Sequence, residues 1–123
     1  MSDYFEEIKK QYPYITPYKE DDEVWEIKGY EHLCKGNYID AMIRFKKLIL
    51  SQPEHYSGYE GLSYAYYYLN ELDKAKWFME KALKIAKGIN KKGSLERDIL
   101  EDIQHNFNAI SKKGKILKWW IKF

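Results

Sequence analysis

The sequence predicts an all-α chain of stacked, antiparallel helix hairpins, and three observations carry that expectation. Two stretches match when one is shifted by 34 residues, so that Trp25 falls on Tyr59, Gly29 on Ser63, Ala41 on Ala75, Phe45 on Met79 and Leu48 on Ala82. A repeat of that period is the sequence mark of a helix-hairpin solenoid. Apolar residues recur at helical spacing, as in Ile99, Ile103, Phe107 and Ile110. Breakers at Gly36-Asn37, at Ser51-Gln52-Pro53 and at Asn70 divide the pattern into segments of helix length. A chain of 123 residues with 33% charged residues and a formal net charge of +2 is expected to form one domain over residues 1–123.

Taken in order, Tyr4 or Phe5, Ile8 and Tyr12 share a face and predict a short helix over about residues 3–11. Pro13 and Pro17 stop it, because each lacks an amide donor and restricts the residue before it. Residues 1–20 therefore read as a helix and an extended connector. Asp21 or Asp22 then supplies an N-cap carboxylate for a helix over about 23–34, with its partner over about 39–50. A second pair follows over about 56–69 and 73–87. Ser94 is an apt N-cap for a last helix over 94–110, whose stripe of Leu95, Ile99, Ile103, Phe107 and Ile110 covers the flank of the second hairpin. Its face of Glu101, Gln104, His105 and Asn108 is expected to stay in water, as a capping element requires. The small residues Gly29, Ala41, Ser63 and Ala75 are expected where helices cross closely, with Trp25, Tyr38, Phe45, Tyr59, Leu72 and Met79 filling the remainder.

The run Trp25-x2-Lys28-Gly29-x8-Tyr38-x2-Ala41-x3-Phe45-x2-Leu48-x4-Pro53 resembles a tetratricopeptide repeat, and the copy beginning at Tyr59 resembles the same family. The two repeats span about 22–55 and 56–89. Lys28 stands where the family prefers Leu, and Lys87 replaces the closing proline of the second unit, so that hairpin is expected to run on longer. The resemblance implies a non-catalytic protein- or peptide-binding module, adaptor or chaperone-like, in which the first helix of each pair lines a concave groove. Glu26, Tyr30, Leu33, Glu60, Tyr64, Tyr67 and Tyr68 are then the candidate partner-binding residues, with Glu23 and Cys34 beside them. That wall is acidic and tyrosine-rich, and phenol rings offer broad contact area with few rotors to freeze. It suits a basic or aromatic peptide. A clamp for a C-terminal carboxylate is disfavoured, because the positions that would hold its Lys and Asn are Glu26, Tyr30 and Gly61.

Charge is segregated along the chain. The acids Asp3, Glu6, Glu7, Glu20, Asp21, Asp22, Glu23 and Glu26 dominate the first part, whereas Lys112, Lys113, Lys115, Lys118 and Lys122 occur near the end without an acid among them. The tail over 111–123 interleaves those lysines with Ile116, Leu117, Trp119, Trp120, Ile121 and Phe123. On a helix, Lys115, Lys118 and Lys122 would share one side. Burying its apolar side chains stabilises by about 1.5–3 kcal/mol each, while ordering the backbone costs about 1–2 kcal/mol per residue. The terms nearly cancel, so the tail is ordered only on a good surface. Candidate surfaces are its own domain, as the second helix of a degenerate third hairpin, the tyrosine-lined groove of this or a second copy, and an anionic membrane. A homodimer would follow from the second. Lys115, Lys118, Trp119, Trp120, Lys122 and Phe123 are the tail's contact candidates. Nucleic acid is a weaker partner, because the basic stretch is short and the groove wall is acidic.

Enzyme chemistry finds no constellation to rest on. His32, His55 and His105 are far apart, no metal-ligand spacing occurs, and Gly58 and Gly61 sit inside a helix pattern rather than in a phosphate-cradling loop. No cofactor is expected. A single cysteine, Cys34, an acidic start MSDYFEEIKK and the lack of a long apolar run point to the cytoplasm.

Overall fold

The computed structural model describes residues 4–18, 23–93, 97–112 and 114–122. The N-caps expected at Asp21 or Asp22 and at Ser94 lie outside them, as do Leu95 and Phe123 and the side chains of Glu23 and Lys122. Among the described residues there are six α-helices: α1 (Tyr4–Gln11), α2 (Glu23–Lys35), α3 (Tyr38–Ser51), α4 (Tyr56–Tyr68), α5 (Leu72–Lys91) and α6 (Arg97–Lys112). A short 3₁₀ turn, Trp119–Lys122, follows. From α2 to α6 each helix packs against the next in the chain, α1 lies against α3, and α2 also meets α4. The fold is an all-α stack of helix hairpins in which α6 covers α5. No helix among the described residues is long and apolar enough to cross a membrane.

The 34-residue repeat extends to the hydrogen bonds of the turns. Gly36 and Asn70 both end their helices with positive φ, +80° and +62°. Gly36 N–H donates to Leu33 O and Asn70 N–H to Tyr67 O, each at 3.2 Å. One residue on, Asn37 N–H reaches His32 O at 2.8 Å and Glu71 N–H reaches Tyr66 O at 2.9 Å. The next helices then begin alike, with Ala41 N–H to Asn37 O and Ala75 N–H to Glu71 O, both at 3.0 Å. Gly and Asn are the residues that enter the left-handed region at least cost, and here they close equivalent helix ends.

Between these turns the small residues do what their size permits. A Cβ on Gly29 would lie 2.7 Å from the Phe45 ring, one on Gly61 would lie 2.2 Å from it, and one on Gly58 would lie 3.0 Å from the Ile49 main-chain nitrogen. Ser63, the counterpart of Gly29, donates its hydroxyl to Ala75 O at 2.6 Å across the α4–α5 crossing. Phe45, Met79, Ala41, Ala75 and Ala82 are all completely buried.

The second hairpin differs from its expected extent. α5 runs to Lys91 rather than to about residue 87, as the absence of a proline after the second hairpin allows. The helix-forming face of α1 packs through Tyr4, whose ring meets Trp77 edge-on at 5.4 Å. Its end is tied by Lys46, which is buried and donates Nζ to Gln11 Oε1 at 3.0 Å. Burial lowers the Lys46 ammonium below the usual lysine range.

Candidate functional site

The first helix of each hairpin, α2 and α4, supplies the wall on which the expected groove residues lie, and the chain's own tail lies along it. Residues 114–118 form no helix, and the chain then turns through Trp119–Lys122. The tail is therefore not the second helix of a third hairpin. Trp119 stands where the resemblance places a small residue, which disfavours a close helix crossing. Trp120, 1% exposed, inserts instead among Tyr30, Tyr64 and Tyr68, with ring centroids 6.3, 4.4 and 6.5 Å away. Ile116 is buried beside it in the core.

The groove residues consequently do not face open solvent. Leu33 and Tyr64 are core residues, and Tyr30, 7% exposed, packs edge-on against Phe45 at 4.9 Å and meets Trp119 at 4.8 Å. Tyr67 and Tyr68 are half-buried. The Tyr67 hydroxyl reaches Gly114 O at 3.5 Å, and Lys118 Nζ lies 5.4 Å from the centre of the Tyr68 ring. Tyr68 also stacks on Tyr38 at 4.8 Å. Burial raises the phenol of Tyr68 to about 12. Glu26 is half-exposed at the end of the wall, and Cys34 is exposed. The structure thus brings Tyr30, Glu60, Tyr64, Tyr67 and Tyr68 together with Lys118, Trp119 and Trp120, and leaves Lys115 in solvent.

The centre of the contact is a polar network. Asn106 on α6 is completely buried and grips the main chain of Leu117 from both sides: its Oδ1 accepts from Leu117 N–H at 2.6 Å, and its Nδ2 donates to Leu117 O at 3.2 Å. The same Nδ2 donates to the Tyr64 hydroxyl at 2.9 Å. Tyr64 in turn donates to Glu60 Oε2 at 2.5 Å, and Trp119 Nε1–H bridges Glu60 Oε2 at 3.0 Å and the Tyr64 oxygen at 3.2 Å. Glu60 is 3% exposed. Burial pushes its carboxyl up to about 7, against the opposing hydrogen bonds from Tyr64 and Trp119. Burial and then the charge of Glu60 hold the Tyr64 phenol well above its usual range.

Asn106 was not among the residues singled out from sequence. The signal is present, however: it lies three residues after Ile103 and four before Ile110, so a polar amide sits on the buried stripe of α6. Such a residue must find partners inside, and a main-chain peptide unit satisfies both ends of its amide. Beside this network a cavity of about 180 Å³ is bounded by α2, α4, α6 and the tail, with Glu26, Tyr30, Tyr56, Glu60, Asp102 and Trp119 on its walls. Comparison with protein-family models, with curated proteins and with solved structures finds no match.

Proposed function

We propose that this chain is a non-catalytic peptide-binding module of tetratricopeptide-like design, whose wall of α2 and α4 takes an extended segment, and that its own tail occupies that wall in cis. The reading is supported above all by the grip of Asn106 on Leu117, because one side chain that pairs with both N–H and C=O of a single residue recognises backbone irrespective of sequence. Indole-to-carboxylate bonding at Glu60 and aromatic packing around Trp120 add side-chain selectivity to it. A partner segment would carry the same chemistry as the tail: extended, with adjacent aromatic rings and flanking lysines. The repeat register, shared down to the turn bonds, supports the family assignment.

The test is complementation in trans. A chain ending at Lys112 is mixed with a fluorescein-labelled peptide of residues 114–123 and followed by fluorescence polarisation and thermal denaturation. Saturable binding that raises the melting temperature, and that Asn106→Ala abolishes, is the expected result. A shortened chain that neither binds nor gains stability from the peptide refutes the groove reading. A second reading, a self-associating protein in which the tail enters the groove of another copy, is favoured by the same contact, since a segment docked in cis also docks in trans when its linker permits. Size-exclusion chromatography with light scattering at rising concentration separates the two.

A further inference from the structure

The stack is finished differently at its two ends. α6 closes one end and turns Glu101, His105 and Asn108 to solvent, and none of its large apolar side chains is exposed among the described residues. At the other end stands α2. Four of the seven exposed large apolar residues, Tyr14, Tyr18, Val24 and Ile27, belong to α2 or to the residues that precede it, so the uncovered apolar surface is concentrated on this side. Tyr18 is tied to the first hairpin through its N–H, which donates to Ser51 O at 2.8 Å.

The 34-residue register identifies the open face of α2. Val24, Ile27, Lys28 and Glu31 correspond to Gly58, Gly61, Leu62 and Ala65 on α4. On α4 all four are buried, and a Cβ on either glycine would strike Ile49 or Phe45 of the preceding helix α3. On α2 the same positions stand half in water: Val24 and Ile27 are each 51% exposed, and the side chains of Lys28 and Glu31 are 53% and 44% exposed. α2 thus presents to solvent the face through which α4 receives its predecessor. Branched side chains in place of the two glycines rule out so close an approach and suit a helix at the ordinary separation of about 8–10 Å.

We infer that two copies of this chain pair through α2, the helices antiparallel about a two-fold axis, with Val24 and Ile27 in the middle of the contact and Lys28 and Glu31 reaching across it. The charges of this face are self-complementary. Lys28 and Glu31, 3.4 Å apart within one helix, lie one turn apart with opposite signs, so a second α2 running the other way sets each lysine beside the other copy's glutamate. A surface able to serve as both halves of a contact is what a two-fold axis requires, and such a contact closes at two copies. Head-to-tail growth is disfavoured, because the exposed surface of α6 is polar and gives Val24 and Ile27 nothing apolar to cover them. The contact is separate from the peptide wall and from the tail: Tyr30 and Leu33, the wall residues of α2, are buried on another side of the helix.

Sedimentation equilibrium of the full chain over about 1–500 μM should show a monomer–dimer equilibrium with a dissociation constant of about 1–100 μM. Ile27→Glu places a charge on an exposed site, so the urea midpoint at low concentration should stay where it is while dimerisation weakens at least about 30-fold. Lys28→Glu and Glu31→Lys should each weaken it by about fivefold or more, and the two together should restore it, which a merely solvated pair would not do. Trp120→Ala, which unseats the tail, should leave the dimer intact. A chain still monomeric at about 500 μM overturns the inference and leaves the face to a different partner. So does a dimer that survives Ile27→Glu, and so does one that Trp120→Ala dissolves, the last of these assigning self-association to exchange of the tail.

Discussion

Asn106→Ala is the most informative single change, because it removes the amide that holds the tail, together with that amide's bond to the Tyr64 hydroxyl. The substitution strips Leu117 of partners for both its N–H and its C=O, bonds of 2.6 and 3.2 Å. A buried polar group left unpaired costs about 1–3 kcal/mol. Leu117 is 42% exposed, so water partly reaches its main chain and the low end applies. Two groups at that end give about 2 kcal/mol. Full release of the tail would forfeit the burial of Trp120, for which removal of a large aromatic costs about 3–5 kcal/mol, so the variant keeps its tail docked but loosened. Native-state hydrogen exchange at the Leu117 amide reads this directly. The 2 kcal/mol corresponds to roughly 30-fold faster exchange, while urea denaturation should report a loss of similar size. A loss below about 0.5 kcal/mol with Leu117 as protected as before would show that the amide does not hold the segment, and the argument for backbone recognition would fall with it.

Three further outcomes follow from the same packing. The Glu60 carboxyl is raised from an ordinary 4.5 to about 7, so its contribution to stability is complete below pH 4.5 and is lost as pH rises through 7. Glu60→Gln should therefore gain on the parent chain by about 3 kcal/mol between pH 4.5 and 8, measured by urea unfolding at both ends; a pH-independent difference refutes the assignment. Trp120→Ala should cost about 3–5 kcal/mol and leave helix content by circular dichroism nearly unchanged at low temperature; a loss under about 1 kcal/mol would mean the indole is not packed as described. Gly61→Ala should cost about 1–3 kcal/mol, because the new Cβ falls on the Phe45 ring, and adding Phe45→Leu should recover part of that loss; strict additivity of the two changes would count against the contact.

Much of the architecture was legible before any coordinates. Helix hairpins of fixed period announce themselves through size matching, since Gly29, Ser63, Ala41 and Ala75 are small where backbones cross, and the turns at Gly36 and Asn70 use the residues that positive φ favours. That Tyr30, Glu60, Tyr64, Tyr67 and Tyr68 lie on the first helices of the two hairpins was legible for the same reason. Their occupancy was not. Whether residues 115–123 form a helix, seek a membrane or fold back depends on terms of nearly equal size, and a sequence pattern fixes only their signs. Lysine spacing suggested an amphipathic helix, yet tertiary partners prevailed: Asn106 satisfies the main chain of a non-helical Leu117, and the tyrosines of α2 and α4 receive Trp120. Tyr30 and Tyr64 thus became interior residues through contacts made from beyond the repeats, which no reading confined to the repeats reveals.

Phe45 has one more consequence. Its phenyl ring lies against Gly29 on α2 and Gly61 on α4, the two rods that form the receiving wall, so the thickness of a single benzene disc sets how far apart those rods stand. A leucine at that place would let them lean together and a tryptophan would wedge them open. The spacing of α2 and α4, and with it the room that Trp120 fills against Tyr30 and Tyr64, is therefore set from α3.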